Sequence, residues 1–205
     1  MFAGKPIIGL AGGIGSGKST VAAILEELGA RVISSDRLNH EELDSPDVLE
    51  QLSAWWGTQV RTPDGRADRA AIRRIISADA DQRRRLEQLV HPRIAERRRK
   101  LMEDWSGDPA VKAVVWDSPL LFEAGLAEQC DRIIFVEAPR DTRLARLKRD
   151  RGWSAEELER LEFSQKPLDF KRDRADYRVV NHSDLEDLRR QVSDVFSRIL
   201  SGQQQ

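Results

Sequence analysis

A glycine-rich segment near the start of the chain limits the possible folds more than any other feature of the sequence. Residues 12–19 read Gly-Gly-Ile-Gly-Ser-Gly-Lys-Ser and match the phosphate-binding loop pattern GxxxxGK[ST] at every fixed position. In this pattern backbone N–H groups face phosphate oxygens, the lysine reaches the β- and γ-phosphates, and the hydroxyl binds Mg²⁺. We therefore expect a nucleoside triphosphate to contact Gly12, Gly13, Ile14, Gly15, Ser16, Gly17, Lys18, Ser19 and Thr20.

The residues on either side of the loop indicate its place in the fold. The apolar run 7–11 predicts a buried strand, and Val21, Ile24, Leu25 and Leu28 recur at helical spacing. The loop would then end at a helix N-terminus, where free N–H groups and the helix dipole favour an anion. This context disfavours the alternative of a glycine-rich turn without a ligand.

Apolar, β-branched runs that alternate with helical patterns predict an α/β fold. The predicted strands span residues 7–11, 31–34, 111–116, 132–136 and 177–180. Such alternation indicates a five-stranded, mostly parallel sheet covered on both faces, which binds ligands at the carboxyl ends of its strands. We therefore expect the chemistry at the segments that follow three strands, at 34–36, 116–119 and 136–139.

The long segment between the second and third strands predicts a helical insertion. Residues 38–109 contain no convincing strand and carry apolar residues at helical spacing. Within it, a helix is expected to end or restart at His91-Pro92, because proline disfavours the helical conformation of the residue before it. A last helix closes the sheet, and the tail Gln203–Gln205 is expected to fray.

The composition argues against several classes of function. The 205 residues include 34 Lys and Arg against 35 Asp and Glu, so no global positive charge indicates a nucleic-acid partner. No apolar run approaches the roughly 18 residues of a membrane span, and no leader pattern precedes the first strand. Cys130 is the only cysteine, which fits a reducing compartment. We expect a cytoplasmic protein, without a membrane partner, that is a monomer or a weak homo-oligomer.

Two aspartates follow predicted strands and are candidates for phosphate chemistry. Asp36 comes just after the second strand, where its carboxylate could accept a proton from an attacking hydroxyl or orient Mg²⁺. Asp117 ends the third strand, as the metal-orienting acid of phosphate-loop enzymes does. Each could instead be a helix cap or a turn residue. With Ser19 they make up the predicted magnesium set.

The densest basic cluster lies at residues 140–151, after the fourth strand. An arginine on a mobile lid can stabilise the charge of a transferring phosphoryl group. Most of the cluster could instead form a solvated helix face, and we expect one or two members to contact phosphate. The apolar segment 119–123 could line a substrate pocket or pack against the insertion. His91 alone is typical of a structural hydrogen-bonding residue, and the histidines form no zinc set with Cys130.

Several motifs occur together in this chain. They are Gly-Leu-Ala-Gly-Gly-Ile-Gly-Ser-Gly-Lys-Ser-Thr at 9–20, Asp36 with His40, Asp64-Gly65 with Asp68-Arg69, His91-Pro92, and Pro-Leu-Leu-Phe-Glu at 119–123. Further along come Gln165, Lys171, Ala175-Asp176 and Asn181. This combination, over about residues 5–195, resembles the dephospho-CoA kinase family.

The resemblance implies a P-loop kinase that transfers the γ-phosphoryl group of ATP to the ribose 3′-hydroxyl of dephospho-CoA, the last step of coenzyme A synthesis. It implies a nucleotide-binding core at 1–37 and 110–205, a lid at about 140–175 and an acceptor-binding insertion at 38–109, with the adenine near Asn181. The implied catalytic residues are Asp36, Lys18, Arg146, Arg149 and Arg151. The implied acceptor-binding residues are Asp36, His40, His91, Pro92, Leu120, Leu121, Phe122 and Glu123.

Three positions depart from the family pattern. Ser34 replaces the first carboxylate of the usual Asp-x-Asp, so a shared metal-binding role for that carboxylate is excluded. Asp150 stands where the family has a lid arginine, between Arg149 and Arg151, which leaves open which arginine contacts phosphate. Ser183 replaces a usual glycine in the loop near the adenine.

Two other functions are compatible with the loop. One is a different small-molecule kinase of the same loop class, which acceptor screening would distinguish. The other is a nucleotide-dependent switch, which is disfavoured because the chain has no Asn-Lys-x-Asp guanine signature and carries a long helical insertion.

Overall fold

The computed structural model describes residues 1–182 and 184–202. The chain divides into two compact units, one of Met1–Ser34 with Asp104–Gln205 and the other of Ser35–Glu103. We call them the sheet unit and the helical unit. The departure at Ser183 and the expected fraying of Gln203–Gln205 lie outside the described residues.

The sheet unit contains five parallel strands. They are β1 (Ile7–Gly12), β2 (Ala30–Ser34), β3 (Ala113–Asp117), β4 (Arg132–Glu137) and β5 (Tyr177–Val180). Their order in the sheet is β2-β3-β1-β4-β5, and every pairing is parallel. The prediction of a five-stranded, mostly parallel sheet is confirmed. The central strand β1 is buried at every residue, as its uninterrupted apolar sequence predicts.

Helices connect the strands and make up the insertion. In chain order they are α1 (Lys18–Glu27), α2 (Ser35–Leu43), α3 (Pro46–Trp56), α4 (Arg69–Ala78), α5 (Ala80–Ser106), α6 (Arg140–Arg151), α7 (Ala155–Phe163), α8 (Leu168–Asp173) and α9 (Leu185–Ser201). Short 3₁₀ turns lie at Thr58–Val60 and Ala127–Gln129. None of the helices in the described ranges combines the length and apolar character that crossing a bilayer requires.

One face of the sheet packs against α1 and α9. Val21 and Leu25 of α1 and Val192 and Phe196 of α9 recur at helical spacing and join Ile8 of β1 in one buried core. Each such side chain contributes roughly 1.5–3 kcal/mol when it is fully buried. This packing fixes α1, and therefore the loop that precedes it, against the centre of the sheet.

The helical unit has a hydrophobic core of its own. Leu43, Val48, Leu52, Val60 and Ile72 are buried in it, contributed by α2, α3, the first 3₁₀ turn and α4. The start of α4 is fixed by Asp68, whose carboxylate accepts a hydrogen bond from the Ala71 N–H at 2.9 Å. The segment can therefore hold side chains in defined positions.

Helix α5 runs through His91 and Pro92 without a break, so the helix end expected at this pair is wrong. A proline inside a helix removes one backbone hydrogen bond and costs about 3 kcal/mol. Here Leu86 and Val90 before the proline and Ile94 after it contact the same core. A continuous helix keeps these three side chains on one face, and their packing outweighs the local effect of the proline.

Candidate active site

The phosphate loop joins β1 to α1 at the carboxyl end of the central strand. Lys18 opens α1, and its ammonium group donates to the carbonyl oxygens of Gly12 (3.3 Å) and Gly13 (3.2 Å). Ser19, which is exposed, and Thr20, which is half-buried, follow in the first turn. The N–H groups of the first turn and the positive end of the helix dipole meet here. The predicted anion-binding arrangement is therefore present in the structure.

Two glycines of the loop leave no space for a side chain. Gly12 has a φ of +149°, and a Cβ atom there would lie 2.5 Å from the carbonyl oxygen of Val136. Gly17 has a φ of +90°, and a Cβ atom there would collide with the side-chain amide of Asn181. The Ser16 hydroxyl is buried and has no hydrogen-bond partner within the described residues. The loop is thus fixed by close packing and retains a buried hydroxyl that a ligand could engage.

The loop packs against α6 through Arg143. The side chain of Arg143 is buried, and its Nη1 donates to the carbonyl oxygen of Ile14 at 3.1 Å and to the carboxylate of Glu162. A Cβ atom at Gly13 would lie 2.9 Å from the same Nη1, and one at Gly15 would lie 3.0 Å from the Arg143 carbonyl oxygen. The guanidinium group of Arg143, paired with Glu162, is therefore held directly against the loop backbone.

Arg146 and Asn181 form a second contact with the loop. Asn181 follows β5 and is buried, and its Nδ2 donates to the carbonyl oxygen of Ser16 at 2.8 Å. Its Oδ1 accepts a hydrogen bond from Nη2 of Arg146 at 3.1 Å, while Nη1 of Arg146 donates to the Ser16 carbonyl oxygen at 3.4 Å. The structure therefore brings two predicted site residues, Arg146 and Asn181, to the loop.

The other two predicted lid arginines lie on exposed parts of α6. Arg149 pairs with Asp150 at 2.7 Å, and this hydrogen bond raises the pKa of Arg149 and lowers the pKa of Asp150. The guanidinium group of Arg151 lies over the ring of Trp153, 5.1 Å from its centroid. Because both arginines are exposed, their contact with phosphate stays a prediction.

Asp117 and Ser19 are the members of the predicted magnesium set that belong to the sheet unit. Asp117 is the last residue of β3, is half-buried, and lies in register with Leu10 of β1 and Ser34 of β2. In the described ranges no group of three or more His, Cys, Asp or Glu residues is arranged to hold a metal ion. A hydroxyl and one carboxylate instead suit Mg²⁺, which binds oxygen, keeps several waters and takes further ligands from substrate phosphates. The residues present therefore fit the predicted ion.

Asp36, His40, His91 and Pro92 belong to the helical unit. Asp36 lies in the first turn of α2, and His40 lies one turn later, so both exposed side chains are on one face of this helix. Because α2 begins at Ser35, Asp36 is inside the helix and not at its N-cap. His91 and Pro92 are exposed on α5. The contact of these residues with an acceptor stays a prediction.

The apolar segment after β3 is partly built into the sheet unit. Leu120 is exposed, but Leu121 is buried against Gly9 of β1. A Cβ atom at Gly9 would lie only 2.8 Å from Cδ2 of Leu121. The ring of Phe122 packs edge-on against Phe170 of α8, with centroids 5.7 Å apart. Within this segment, Leu120 is therefore the side chain most accessible to an acceptor.

Glu123 is tied to the segment that contains α8. Its Oε1 accepts hydrogen bonds from the Lys166 N–H at 2.6 Å and from Nζ of the buried Lys171 at 3.0 Å. Burial disfavours the charge of this carboxylate, but the hydrogen bonds from Lys166 and Lys171 outweigh burial and hold its pKa below the ordinary value. Lys171 also donates to Oε1 of Gln165 at 2.9 Å. The Glu123 carboxylate is thus engaged inside the sheet unit.

Known proteins of one family match nearly the whole chain. The family model described as dephospho-CoA kinase matches residues 6–187. A relative from Geobacter metallireducens, named dephospho-CoA kinase, is 42% identical over 188 residues, which cover 91% of this chain and 92% of the relative. This chain belongs to the dephospho-CoA kinase family. The resemblance inferred from the sequence motifs is confirmed.

Solved structures share the fold. The crystal structure of TT1252 from Thermus thermophilus has a TM-score of 0.80 and 35% identity, and the match covers 95% of this chain and 98% of that one. Dephospho-CoA kinase from Campylobacter jejuni has a TM-score of 0.71 and 25% identity, with coverage of 97% and 98%. The predicted P-loop kinase fold of the dephospho-CoA kinase family is therefore confirmed.

Two arrangements in this member of the dephospho-CoA kinase family were missed from the sequence. Arg143 was one of several basic residues in a cluster, although its spacing to the buried Leu147 indicates that both face inward from α6. The chain of contacts from Glu123 through Lys171 to Gln165 joins distant segments, and no local pattern predicts such a contact.

Proposed function

We propose that this protein transfers the γ-phosphoryl group of ATP to the 3′-hydroxyl of the ribose of dephospho-CoA and releases coenzyme A and ADP. One observation carries the proposal: a member of the dephospho-CoA kinase family retains a complete phosphate loop, with Lys18 at the carbonyl oxygens of Gly12 and Gly13. A cytoplasmic location and a monomeric or weakly associating state stay predictions from the sequence.

The sheet unit supplies the groups that hold the donor. The backbone N–H groups of the loop and of the first turn of α1 donate to phosphate oxygens, and Lys18 reaches the β- and γ-phosphates. Arg146 adds a positive charge that hydrogen bonds hold at the loop, and Arg143, which is paired with Glu162, holds the loop backbone in place through the Ile14 carbonyl oxygen. Phosphoryl transfer depends mainly on positioning and charge stabilisation, so these groups can supply most of the catalysis.

Asp36 is our candidate for the group that receives the proton of the attacking hydroxyl. The 3′-oxygen forms a bond to the γ-phosphorus while the bond from that phosphorus to the bridging oxygen breaks, and its electron pair stays on ADP. The hydroxyl proton passes to the Asp36 carboxylate. We assign acceptor binding to the helical unit, with His40, His91 and Pro92 as candidates.

Mg²⁺ would be held by the Ser19 hydroxyl and the Asp117 carboxylate, with Asp36 as a further candidate ligand. When bound, the ion neutralises charge on the β- and γ-phosphate oxygens. The chain offers hard oxygen donors without a complete protein cage, which is the kind of site that Mg²⁺ occupies together with substrate phosphates.

An acceptor assay tests the proposal. The purified protein is incubated with ATP, Mg²⁺ and dephospho-CoA, ADP formation is followed over time, and the position of the new phosphate is read by ³¹P NMR. We expect ADP to form only when dephospho-CoA is present and the product to carry its phosphate at the 3′-oxygen. Lys18→Ala is the matched loss-of-function control, with kcat lower by about 10²–10³.

The same assay separates the other functions compatible with the loop. Turnover with a nucleoside monophosphate or a sugar, but none with dephospho-CoA, would assign a different small-molecule kinase. Slow ATP hydrolysis that no acceptor accelerates would favour a nucleotide-dependent switch.

A further inference from the structure

A series of partly buried hydrogen bonds runs from the segment after β3 to a cavity at the phosphate loop. Lys171 is at its centre, with its side chain only 2% exposed. Its Nζ lies 3.0 Å from Oε1 of Glu123 and 2.9 Å from Oε1 of Gln165. A buried ammonium group requires such partners, because an unpaired charge in the interior is strongly destabilising.

This arrangement determines which way the side-chain amide of Gln165 faces. A lysine ammonium group has three donors and no acceptor, so the atom of Gln165 that contacts it must be the oxygen. The Nε2 group, with its two donor hydrogens, is therefore turned away from Lys171. Glu123 stabilises this orientation indirectly, because it fixes the charge and position of Lys171.

Gln165 lines a cavity that opens at the start of the phosphate loop. The cavity has a volume of about 200 Å³ and is lined by Gly13, Glu162, Gln165, Lys166, Pro167 and Leu168. The negative charge of Glu162 on its wall is compensated by the ion pair with the buried Arg143.

The position of Lys18 indicates which part of the nucleotide lies nearest to this cavity. In phosphate loops the lysine reaches the β- and γ-phosphates. Its ammonium group here lies at the carbonyl oxygens of Gly12 and Gly13, and Gly13 also lines the cavity. The γ-phosphate end of ATP is thus expected beside the amide of Gln165.

We propose that Gln165 is a further catalytic residue, whose Nε2 group donates a hydrogen bond to an oxygen of the γ-phosphoryl group as it is transferred. Lys171 and Glu123 are positioning residues that hold this amide in the donating orientation. The inference rests on the proposed function. Gln165 exchanges no proton and forms no covalent bond, and its contribution is stabilisation of charge on the transferring group.

The Gln165→Glu variant tests this role without removing the contact to Lys171. A carboxylate oxygen at position 165 still accepts a hydrogen bond from the Lys171 ammonium group, so we expect an unchanged or higher Tm. At the phosphate, however, the Nε2 donor is replaced by a negatively charged acceptor. We expect kcat to fall by about 10²–10³. The matched control is Gln129→Glu, which makes the same charge change at an exposed residue. Gln129 precedes β4 and so lies at the amino ends of the parallel strands, whereas the loop lies at their carboxyl ends. Its kcat should equal that of the unmodified protein.

Nucleotide affinity provides a second readout that needs no acceptor. Titration calorimetry of Gln165→Glu should show that the affinity for ATP falls at least about tenfold more than the affinity for ADP, because only ATP has the γ-phosphate that the new charge repels. If dephospho-CoA is not phosphorylated by the unmodified protein, the proposed function fails, and this comparison still decides the role of Gln165.

Three outcomes would overturn the role of Gln165. They are a folded Gln165→Glu protein with unchanged kcat, an equal loss of ATP and ADP affinity, and a similar loss of kcat in Gln129→Glu. If Gln165→Glu lowers Tm by more than about 5 °C, Gln165→Asn replaces it. That variant withdraws the amide by one methylene group, and a kcat within about twofold of the unmodified protein would likewise overturn the proposal.

Discussion

At the scale of single residues, the arginines of α6 differ in what their guanidinium groups contact. Arg146 donates to the loop carbonyl of Ser16 and to Asn181, whereas the exposed Arg149 pairs with Asp150. We expect Arg146→Gln to lower kcat by about 10²–10³ and Arg149→Gln to lower it by less than about tenfold, because a charge held at the loop can stabilise the phosphoryl group directly. Steady-state kinetics with saturating ATP measures both values.

The comparison is informative because the two substitutions remove the same charge from the same helix. An equal loss of kcat in both variants would show that Arg149 also reaches the phosphates during turnover. Arg149 would then supply the charge that the family's lid arginine provides at the position that Asp150 occupies in this chain.

At the scale of secondary-structure elements, the Glu123–Lys171 ion pair connects α8 to the segment after β3. The pKa of Glu123 is lowered in the folded protein, so its stabilising effect is complete above the ordinary glutamate value of about 4.3 and is lost as the pH falls through the lowered value. We expect Glu123→Gln to lower the free energy of unfolding by about 2 kcal/mol at pH 7. Urea denaturation should show this difference shrinking as the pH approaches 3.

A difference that stays constant from pH 7 to pH 3 would contradict this account, because it would show that the charge of Glu123 is not what stabilises the contact. Glu128→Gln, on an exposed residue of the same connection between β3 and β4, is a suitable control. Its stability should follow that of the unmodified protein at every pH.

Elements with a clear hydrophobic period could be predicted from the sequence, and contacts between distant elements could not. β1 and α9 were predicted because their apolar residues follow the period of a strand or a helix. The expected break at Pro92 was wrong because packing on both sides of the proline outweighs its local effect. The loop and Lys18 were evident from a local motif, whereas the contacts of Arg143 and Gln165 depend on how α6, α7 and α8 meet the loop.

At the scale of the whole molecule, the proposed base and the proposed donor site belong to different units. Asp36 lies in the helical unit, two residues after the end of β2, and the phosphate loop lies in the sheet unit. We therefore expect Asp36→Asn to lower kcat by about 10²–10⁴ while the Kd for ATP changes by less than about threefold. Turnover assays and calorimetric titration with ATP measure the two effects separately. An unchanged kcat would exclude Asp36 as the base.

The contact of Asn181 with the loop has a consequence for how this site can change in evolution. Because the amide of Asn181 occupies the space that a side chain at Gly17 would need, a mutation at either position alters which residues the other tolerates. The sequence of the glycine-rich loop is therefore not expected to vary independently of the residue at position 181. We expect substitutions in the loop to depend on the residue at position 181, and a graft of the loop alone into another scaffold would leave out a residue that holds its shape.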